Sequence, residues 1–480
     1  MSSHNSRISL WHVLAAAAIG AAGLFAEFST IGAAPSNART LVLLYTNQAY
    51  GQIRSCNCTK FRYGGYGREA TLVEKVRKEN PNVVIIEGGD AVGHDQVEQD
   101  RLKSDVAIKA IETIKYAAFV PGDAELMYDR KSLESWASGS KTPFILANAG
   151  FKDTGKPVCD KPYIIRKTPN GLRVAVVGVV GPRLFTDAAQ LGLQVTITDP
   201  KSALKGLLPK IRPQADLVVV AAHTDADDAR TIAKLAGVDV VICTHSDDKL
   251  VMPEKDKNIV EGATERIGNC IFLVSNSRSG WSVGRLDLEI DGKKIKTARN
   301  RSFFLDRAYE EHADIVKLYD DYNKKVADAM NRRQNELRDK FASLLKERGI
   351  DPSKRVRPKP FAGAATCKTC HEEAYTAWAK TRHATAFATL RKTGQESDPE
   401  CISCHTTGAS QRGGFVSAKE TPELINVQCE ACHGAGASHA AKPAAGFGSV
   451  SEDLCRSCHT EDYNPDFDYE QMLKTIRHKH

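Results

Sequence analysis

The pentapeptide Cys-x-x-Cys-His occurs four times between residues 367 and 459, and nothing else in the chain constrains its fold as strongly. The copies are Cys367-Lys368-Thr369-Cys370-His371, Cys401-Ile402-Ser403-Cys404-His405, Cys429-Glu430-Ala431-Cys432-His433 and Cys455-Arg456-Ser457-Cys458-His459. A single Cys-x-x-Cys is ambiguous among zinc, redox and structural roles. Four copies, each followed at once by histidine, point to c-type haem: two thiols form thioethers to the porphyrin vinyls, and the adjoining imidazole ligates the iron. The two-residue gap lets both sulfurs reach one macrocycle. Four such haems require a mostly helical segment, poor in strands, whose interior is filled by porphyrin more than by polypeptide. The macrocycles must then nearly touch, which makes a chain along which electrons can hop.

The sixth position of each iron decides between electron transfer and chemistry at the metal. Histidines outside the motifs are therefore the residues to count. His383 and His439 are the expected distal ligands, and Met472 is a weaker candidate. His478 and His480 lie at the terminus, where fraying is as reasonable an expectation as ligation.

The N-terminus bears on where such chemistry can be assembled. Arg7 and a polar lead precede an apolar run from Val13 to Ala26, and Ser36-Asn37-Ala38 resembles a cleavage signal. The run is too short and too weakly apolar for a spanning helix. Residues 1–38 are therefore expected to be a signal peptide, with an uncleaved anchor as the alternative. Export to the bacterial periplasm or cell exterior fits haem attachment, which takes place outside the cytoplasm in bacteria. A net charge of +7 arises from 66 basic and 59 acidic residues, too evenly spread for a nucleic-acid-binding stripe. Five of the 13 cysteines lie outside the motifs. Cys243 and Cys270 sit in apolar strand-like runs and read as buried inert thiols. Cys56 and Cys58 lie in a Gly-rich loop, where metal binding and a disulfide to Cys159 both stay open.

Residues 39–306 alternate apolar strands with amphipathic helices. Strands are predicted at Leu41–Tyr45, Val83–Glu87, Ala117–Val120, Pro143–Ala147, Val174–Val179, Leu217–Ala222 and Val238–Cys243, with helices at Tyr66–Lys78 and Asp100–Lys115. Continuous Val/Ile/Leu runs indicate strands buried on both faces, the mark of an α/β layered sandwich. Asp90, Asp123, His223 and His245 follow strand ends, where such sheets place their ligands. Residues 307–360 read as a long charged helix, Ala308 to Arg348, and a Pro-rich linker. Residues 361–480 form the predicted tetrahaem domain.

Two resemblances add to this reading. Cys367–His371 with Tyr375, Trp378, His383 and Ala384, then Cys429–Gly434 with Gly436, His439 and Ala440, is similar to the cytochrome c-554 family. That resemblance implies four c-type haems, distal ligation by His383 and His439, and electron passage between periplasmic redox partners. It also implies that one iron lacks a sixth protein ligand. The first domain resembles metallophosphoesterases of the 5′-nucleotidase type through Tyr45–Gly51, Gly64–Arg68, Glu87–Asp90, Pro121–Glu125, His223, Thr244–Asp247 and Gly284–Leu286. The family's Asp-x-His appears here as Gln48 and Tyr50, its Asn-His-Glu as Asp123-Ala124-Glu125, and its Gly-His-x-His ends on Asp247. The resemblance therefore implies a degenerate site, with Asp90, Asp123, His223, His245 and Asp247 left to hold one divalent cation. An electron carrier with periplasmic redox proteins as donor and acceptor is the expectation, its first domain a docking module. A redox enzyme acting on a small nitrogen or sulfur compound, or a hydrolase coupled to the cytochrome, is the alternative.

Overall fold

The computed structural model describes residues 38–480 except 56–62, 94–96, 186–191, 246–249, 256, 352–358, 461–462, 465–466 and 479–480. The expected signal peptide, Cys56, Cys58, Asp247, His480 and most of the Pro-rich linker lie outside the described residues. Contacts gather Ala38–His480 into one unit.

Two sheets of six strands organise the first part. The strands are β1 (Arg39–Thr46), β2 (Val83–Glu87), β3 (Ala118–Phe119), β4 (Ala149–Phe151), β5 (Tyr163–Lys167), β6 (Arg173–Val180) and β7 (Val195–Ile197). They continue with β8 (Leu217–His223), β9 (Val240–Cys243), β10 (Ile259–Gly262), β11 (Glu265–Ile267), β12 (Cys270–Val274), β13 (Ser282–Asp291) and β14 (Lys294–Phe304). One sheet runs β10-β14-β13-β1-β2-β3, the other β11-β12-β9-β8-β6-β5, and β4 pairs with β7 apart from both. Strand periodicity explains the layering. Val174, Val176, Leu217, Val219, Val240 and Ile242 share one core with Leu41, Leu43 and Ile85 of the first sheet. Their neighbours Ala175, Val177, Val218, Val220 and Val241 face the opposite way, onto Leu204, Leu208 and Ile232 of the helices Pro200–Ile211 and Ala226–Ala233. The result is the α/β sandwich expected from the unbroken apolar runs.

Asn170 and Gly171 turn the chain from β5 into antiparallel β6, with Gly171 at φ 85°. One predicted strand is not formed. Phe144 and Ile145 make only isolated bridges, to Phe119 and Lys161, so the segment ties neighbouring chains together and extends no sheet. Pro143 just before it has no amide to donate to a ladder. Cys159, Cys243 and Cys270 are buried, and burial pushes the Cys159 and Cys270 thiols up to about 12.

The long helix runs from Ala313 to Glu347, starting later than its charge pattern suggests because the His312 side chain caps it by accepting from Asp314 N at 3.3 Å. Ile315, Tyr319, Tyr322 and Val326 bury its first half against the sandwich. Beyond it the chain is helical, and its apolar core is small: Phe361, Phe387, Leu390, Phe415 and Leu424. So few side chains for residues 361–480 fit a segment furnished inside by prosthetic groups.

The helical segment is tied to the sandwich and the long helix at a seam beside the second motif. Asp398 accepts from Gln99 Nε2 at 2.6 Å and from Tyr322 Oη at 3.2 Å. Its Oδ1 also accepts Glu400 N at 3.0 Å, capping the helix Pro399–His405 that carries Cys401, Cys404 and His405. Lys103 Nζ reaches the Glu400 carboxylate at 2.5 Å, and Asn323 Nδ2 reaches Thr393 O at 2.8 Å. No helix among the described residues is long and apolar enough to cross a membrane.

Candidate functional site

Each pentapeptide forms one helical turn. Helices Pro399–His405 and Cys429–His433 contain the second and third copies, while His371 N bonds Cys367 O at 3.0 Å and His459 N bonds Cys455 O at 2.9 Å in the others. Cysteines three apart then share a face of the turn, which aims both sulfurs at one porphyrin edge. The motifs are also close to one another. Cys367 of the first motif neighbours Cys429 of the third, and Cys404 of the second neighbours Cys458 of the fourth.

The histidines give the test of fit. His371 faces His439 with ring centres 6.2 Å apart, His459 faces His383 at 6.2 Å, and His433 faces His478 at 5.9 Å. Two imidazoles bound from opposite sides of one metal, at about 2 Å per metal–nitrogen bond, have ring centres about 6 Å apart. Ring orientation is held from behind. His405 Nδ1 donates to Ala386 O and His433 Nδ1 to Gly448 O, both at 2.7 Å. A carbonyl can only accept, so the proton sits on Nδ1 and Nε2 is left for the iron. Phe447 stacks on His439 at 4.5 Å and Phe467 on His459 at 4.7 Å. Burial and the neighbouring rings of His459 and His405 lower the His383 pKa, favouring the neutral form a ligand needs. These residues fit haem, with His371, His405, His433 and His459 as proximal ligands and the motif cysteines as attachment points.

His383 and His439 each lie opposite a motif histidine, His459 and His371 respectively. His478, which the sequence left between ligand and frayed end, faces His433. Met472 is on the exposed side of the helix Tyr469–Ile476. Among the described residues, His405 faces no second imidazole. Glu430, inside the third motif, was not singled out by its sequence. Its buried carboxylate accepts from Ala362 N, Gly363 N and Gly436 N at 2.7–2.8 Å, so it binds the start of the segment to the third motif.

In the sandwich, four strand-end residues converge. Asp90 follows β2, Asp123 opens the helix Asp123–Leu126 after β3, His223 ends β8, and His245 follows β9. One ligand atom of each lies within 4.8 Å of all the others. His223 Nε2 is 3.0 Å from Asp123 Oδ1 and 3.2 Å from Asp90 Oδ2, and His245 Nε2 is 3.9 Å from Asp123 Oδ1. His223 Nδ1 donates to Gly88 O at 2.7 Å, which directs Nε2 into the cluster. Asp90 Oδ1 accepts from Ala124 N, whereas buried Oδ2 has no well-directed hydrogen bond. A carboxylate oxygen at no exposure, facing only the His223 ring, is a position for a cation. Burial alone would raise the Asp90 pKa and lower that of His223. Their mutual attraction outweighs it, so Asp90 is lowered and His223, held also by Asp123, is raised well above the usual imidazole range.

Glu125 braces this loop, accepting from Asp90 N, Gly122 N and Val92 N at 2.8–3.1 Å. Burial, then the Asp90 charge, pushes its carboxyl up to about 7. Gly122 admits no side chain, since a Cβ there would lie 2.4 Å from Asp90 Oδ1. Gln48 and Tyr50 bond each other, Nε2 to Oη at 2.6 Å, with the phenol in the field of Asp90 and Asp123. Burial and those two carboxylates raise the phenol's pKa, so it stays protonated. Four residues therefore fit one cation. Gln48, Tyr50 and Ala124 add no good ligand for a second.

Comparison with known proteins agrees with this division. Residues 366–434 match the family described as cytochrome c554 and c-prime. A 2′,3′-cyclic-nucleotide 2′-phosphodiesterase/3′-nucleotidase of Salmonella typhimurium is 29% identical over 261 residues, covering 48% of this chain and 40% of the relative. The protein of the same name from Yersinia enterocolitica is 27% identical over 270 residues, covering 47% and 41%. The chain spans about two fifths of the length of these curated relatives. A 5′-nucleotidase precursor from Thermus thermophilus shares the fold, with a TM-score of 0.51 at 17% identity over 60% of this chain and 59% of that one. The chain thus joins a metallophosphoesterase-like α/β domain to a mostly helical segment that matches the cytochrome c554 family.

Proposed function

We propose that this protein is an exported, periplasmic four-haem c-type cytochrome that carries electrons between redox partners. The observation that carries the reading is the set of three imidazole pairs, 5.9–6.2 Å between ring centres, each joining a motif histidine to one outside the motifs. Each haem, when bound, supplies a one-electron iron couple. The chain's own contribution is three imidazole pairs, His371 with His439, His459 with His383 and His433 with His478, each of which would hold one haem iron between two rings and leave a substrate no place on it. The chain also sets the first motif beside the third and the second beside the fourth, through Cys367 with Cys429 and Cys404 with Cys458.

The metallophosphoesterase-like domain serves in this reading as a docking and supporting module that holds one cation and no longer hydrolyses phosphoesters. Its support is the replacement of ligands by Gln48, Tyr50 and Ala124, since a two-metal hydrolytic centre needs both ions to clamp the phosphate and activate water. The test is to load the purified holoprotein with manganese or zinc and assay nucleotides and aryl phosphate esters, including the cyclic nucleotides named for its relatives. No hydrolysis, together with complete reduction and reoxidation of all haems by small mediators, is expected. Metal-dependent hydrolysis would overturn the module reading.

A second reading has one observation behind it. His405 faces no other imidazole among the described residues, so its iron is the one suited to bind a small nitrogen or sulfur compound. Failure of the reduced protein to bind carbon monoxide or nitric oxide would dispose of chemistry at that haem.

A further inference from the structure

We propose that Lys103, a residue of the sandwich, tunes the second haem: its ammonium cancels the Glu400 carboxylate beside Cys401 and so holds the midpoint of the haem attached at Cys401 and Cys404 above the value the helical segment would give it alone. The inference rests on the haem reading above and gives the metallophosphoesterase-like domain a part in electron transfer.

Placement comes from both halves of the chain. Glu400 directly precedes Cys401 in the helix Pro399–His405, so its charge rides on the same turn as the attachment point. Lys103 belongs to the helix Glu98–Ile114 of the sandwich, and its Nζ lies 2.5 Å from both Glu400 carboxylate oxygens. The two residues are 297 positions apart, so only the docking of the helical segment on the sandwich brings them together. A second carboxylate, Asp398, stands nearby, but its donors Gln99, Tyr322 and the Glu400 amide are all neutral. Among the described residues, Lys103 is the one cation in contact with either carboxylate.

Burial gives the arrangement its force. The Lys103 side chain keeps 10% of its exposure, whereas that of Glu400 keeps 42%. A lysine is rarely buried this far without a partner. Gly51 closes on its stem, where a Cβ would stand 3.8 Å from Lys103 Cδ. An ammonium held out of water is screened far less than one on the surface, so its charge reaches the neighbouring iron. The Cys401 sulfur lies in the field of Asp398, Glu400 and Lys103 alike.

The sign follows from charge. Ferric haem carries one positive charge more than ferrous, so an uncompensated anion favours the ferric state and lowers the midpoint, while an uncompensated cation raises it. Removing Lys103 leaves the anion, and removing the Glu400 charge leaves the cation. A purely mechanical clip would behave otherwise. Either variant breaks the same contact, and a loosened, wetter haem is harder to reduce in both.

Spectroelectrochemistry of the full-length holoprotein reads the difference, with the pyridine haemochrome counting haems. In Lys103→Met one of the four midpoints should fall, by about tenfold in the ferric–ferrous equilibrium, equal to about 59 mV. Glu400→Gln should raise the same midpoint by less, because the carboxylate it removes is partly exposed and screened. Lys103→Arg keeps the charge and should keep the midpoint near its unaltered value. Shifts of the same sign in Lys103→Met and Glu400→Gln, or a change spread evenly over all four midpoints, would overturn the tuning role. Should Lys103→Met fail to fold, Glu400→Gln decides alone, since only the freed ammonium raises a midpoint. Four haems with unmoved midpoints refute the tuning alone, whereas fewer than four refute the four-haem reading and the tuning with it.

Discussion

Replacing His383 by alanine isolates one iron, and the outcome can be counted from the structure. The His383 ring lies 6.2 Å from His459 on the far side of the expected iron position. Alanine has no donor to put there. The other imidazole in its neighbourhood is His405, whose Nδ1 is tied to Ala386 O at 2.7 Å in an orientation set for its own motif. The iron of the fourth motif should therefore become high-spin and open. Among the described residues, four motifs and three facing pairs leave the His405 iron without a second imidazole, so carbon monoxide uptake should be one per chain, rising to two in His383→Ala. The pairs share no residue, so His383→Ala with His439→Ala should give three, each change adding independently. Uptake is measured from the reduced-minus-carbonyl difference spectrum, normalised to total haem by the pyridine haemochrome, with EPR reporting the high-spin fraction. Equal uptake in the unaltered protein and in His383→Ala would show that ring proximity here is not ligation. A loss of haem from His383→Ala would instead show that the distal ligand holds the cofactor, and the normalisation separates the two results.

Two further outcomes follow from buried polar groups. Glu69 is fully buried against Tyr116, and burial pushes its carboxyl from 4.5 up to about 7. A raised carboxyl favours the protonated fold, so stability should be greatest below pH 4.5 as far as this group acts, and fall as pH rises to about 7, by at most about 3 kcal/mol. Glu69→Gln should flatten that fall in denaturant titrations between pH 5 and 7; an unaltered slope would mean the carboxyl is ionised throughout. Asp398→Ala strands Gln99 and Tyr322 at the seam, a cost of about 1–3 kcal/mol. Limited proteolysis between residues 306 and 360 should accelerate, and if it does not, the seam is held by other contacts.

What could be read from the sequence divides along a physical line. Apolar runs such as Val174–Val179 and Leu217–Ala222 showed both the strands and their burial, because a strand covered on both faces has no polar alternation to confuse it. The Phe144–Ile145 segment is as apolar yet forms no strand, since it bridges Phe119 of β3 on one side and only Lys161, outside any strand, on the other, and composition does not record partners. Asp90, Asp123, His223 and His245 were legible because strand ends are where this architecture gathers ligands. Glu430 was not. Its role depends on Ala362, Gly363 and Gly436 arriving around one carboxylate, a coincidence of three backbone amides that no local pattern announces.

His478 shows why an end of chain is hard to judge. From sequence, fraying and ligation predict the same polar, charged terminus, and only the position of His433 separates them. A histidine ring cannot lie 5.9 Å from another, with Nδ1 turned back to the carbonyl of Ile476 at 3.1 Å, unless the helix before it is docked. That helix, Tyr469–Ile476, has no buried residue and begins on a cap from Asp468 to Gln471 N. Tyr469, Leu473 and Ile476 half-bury one face of it, and the His433–His478 contact adds to that packing. His478→Ala should therefore loosen the helix and add one site to the carbon monoxide uptake of the reduced protein; unchanged uptake would show that this ring holds no iron.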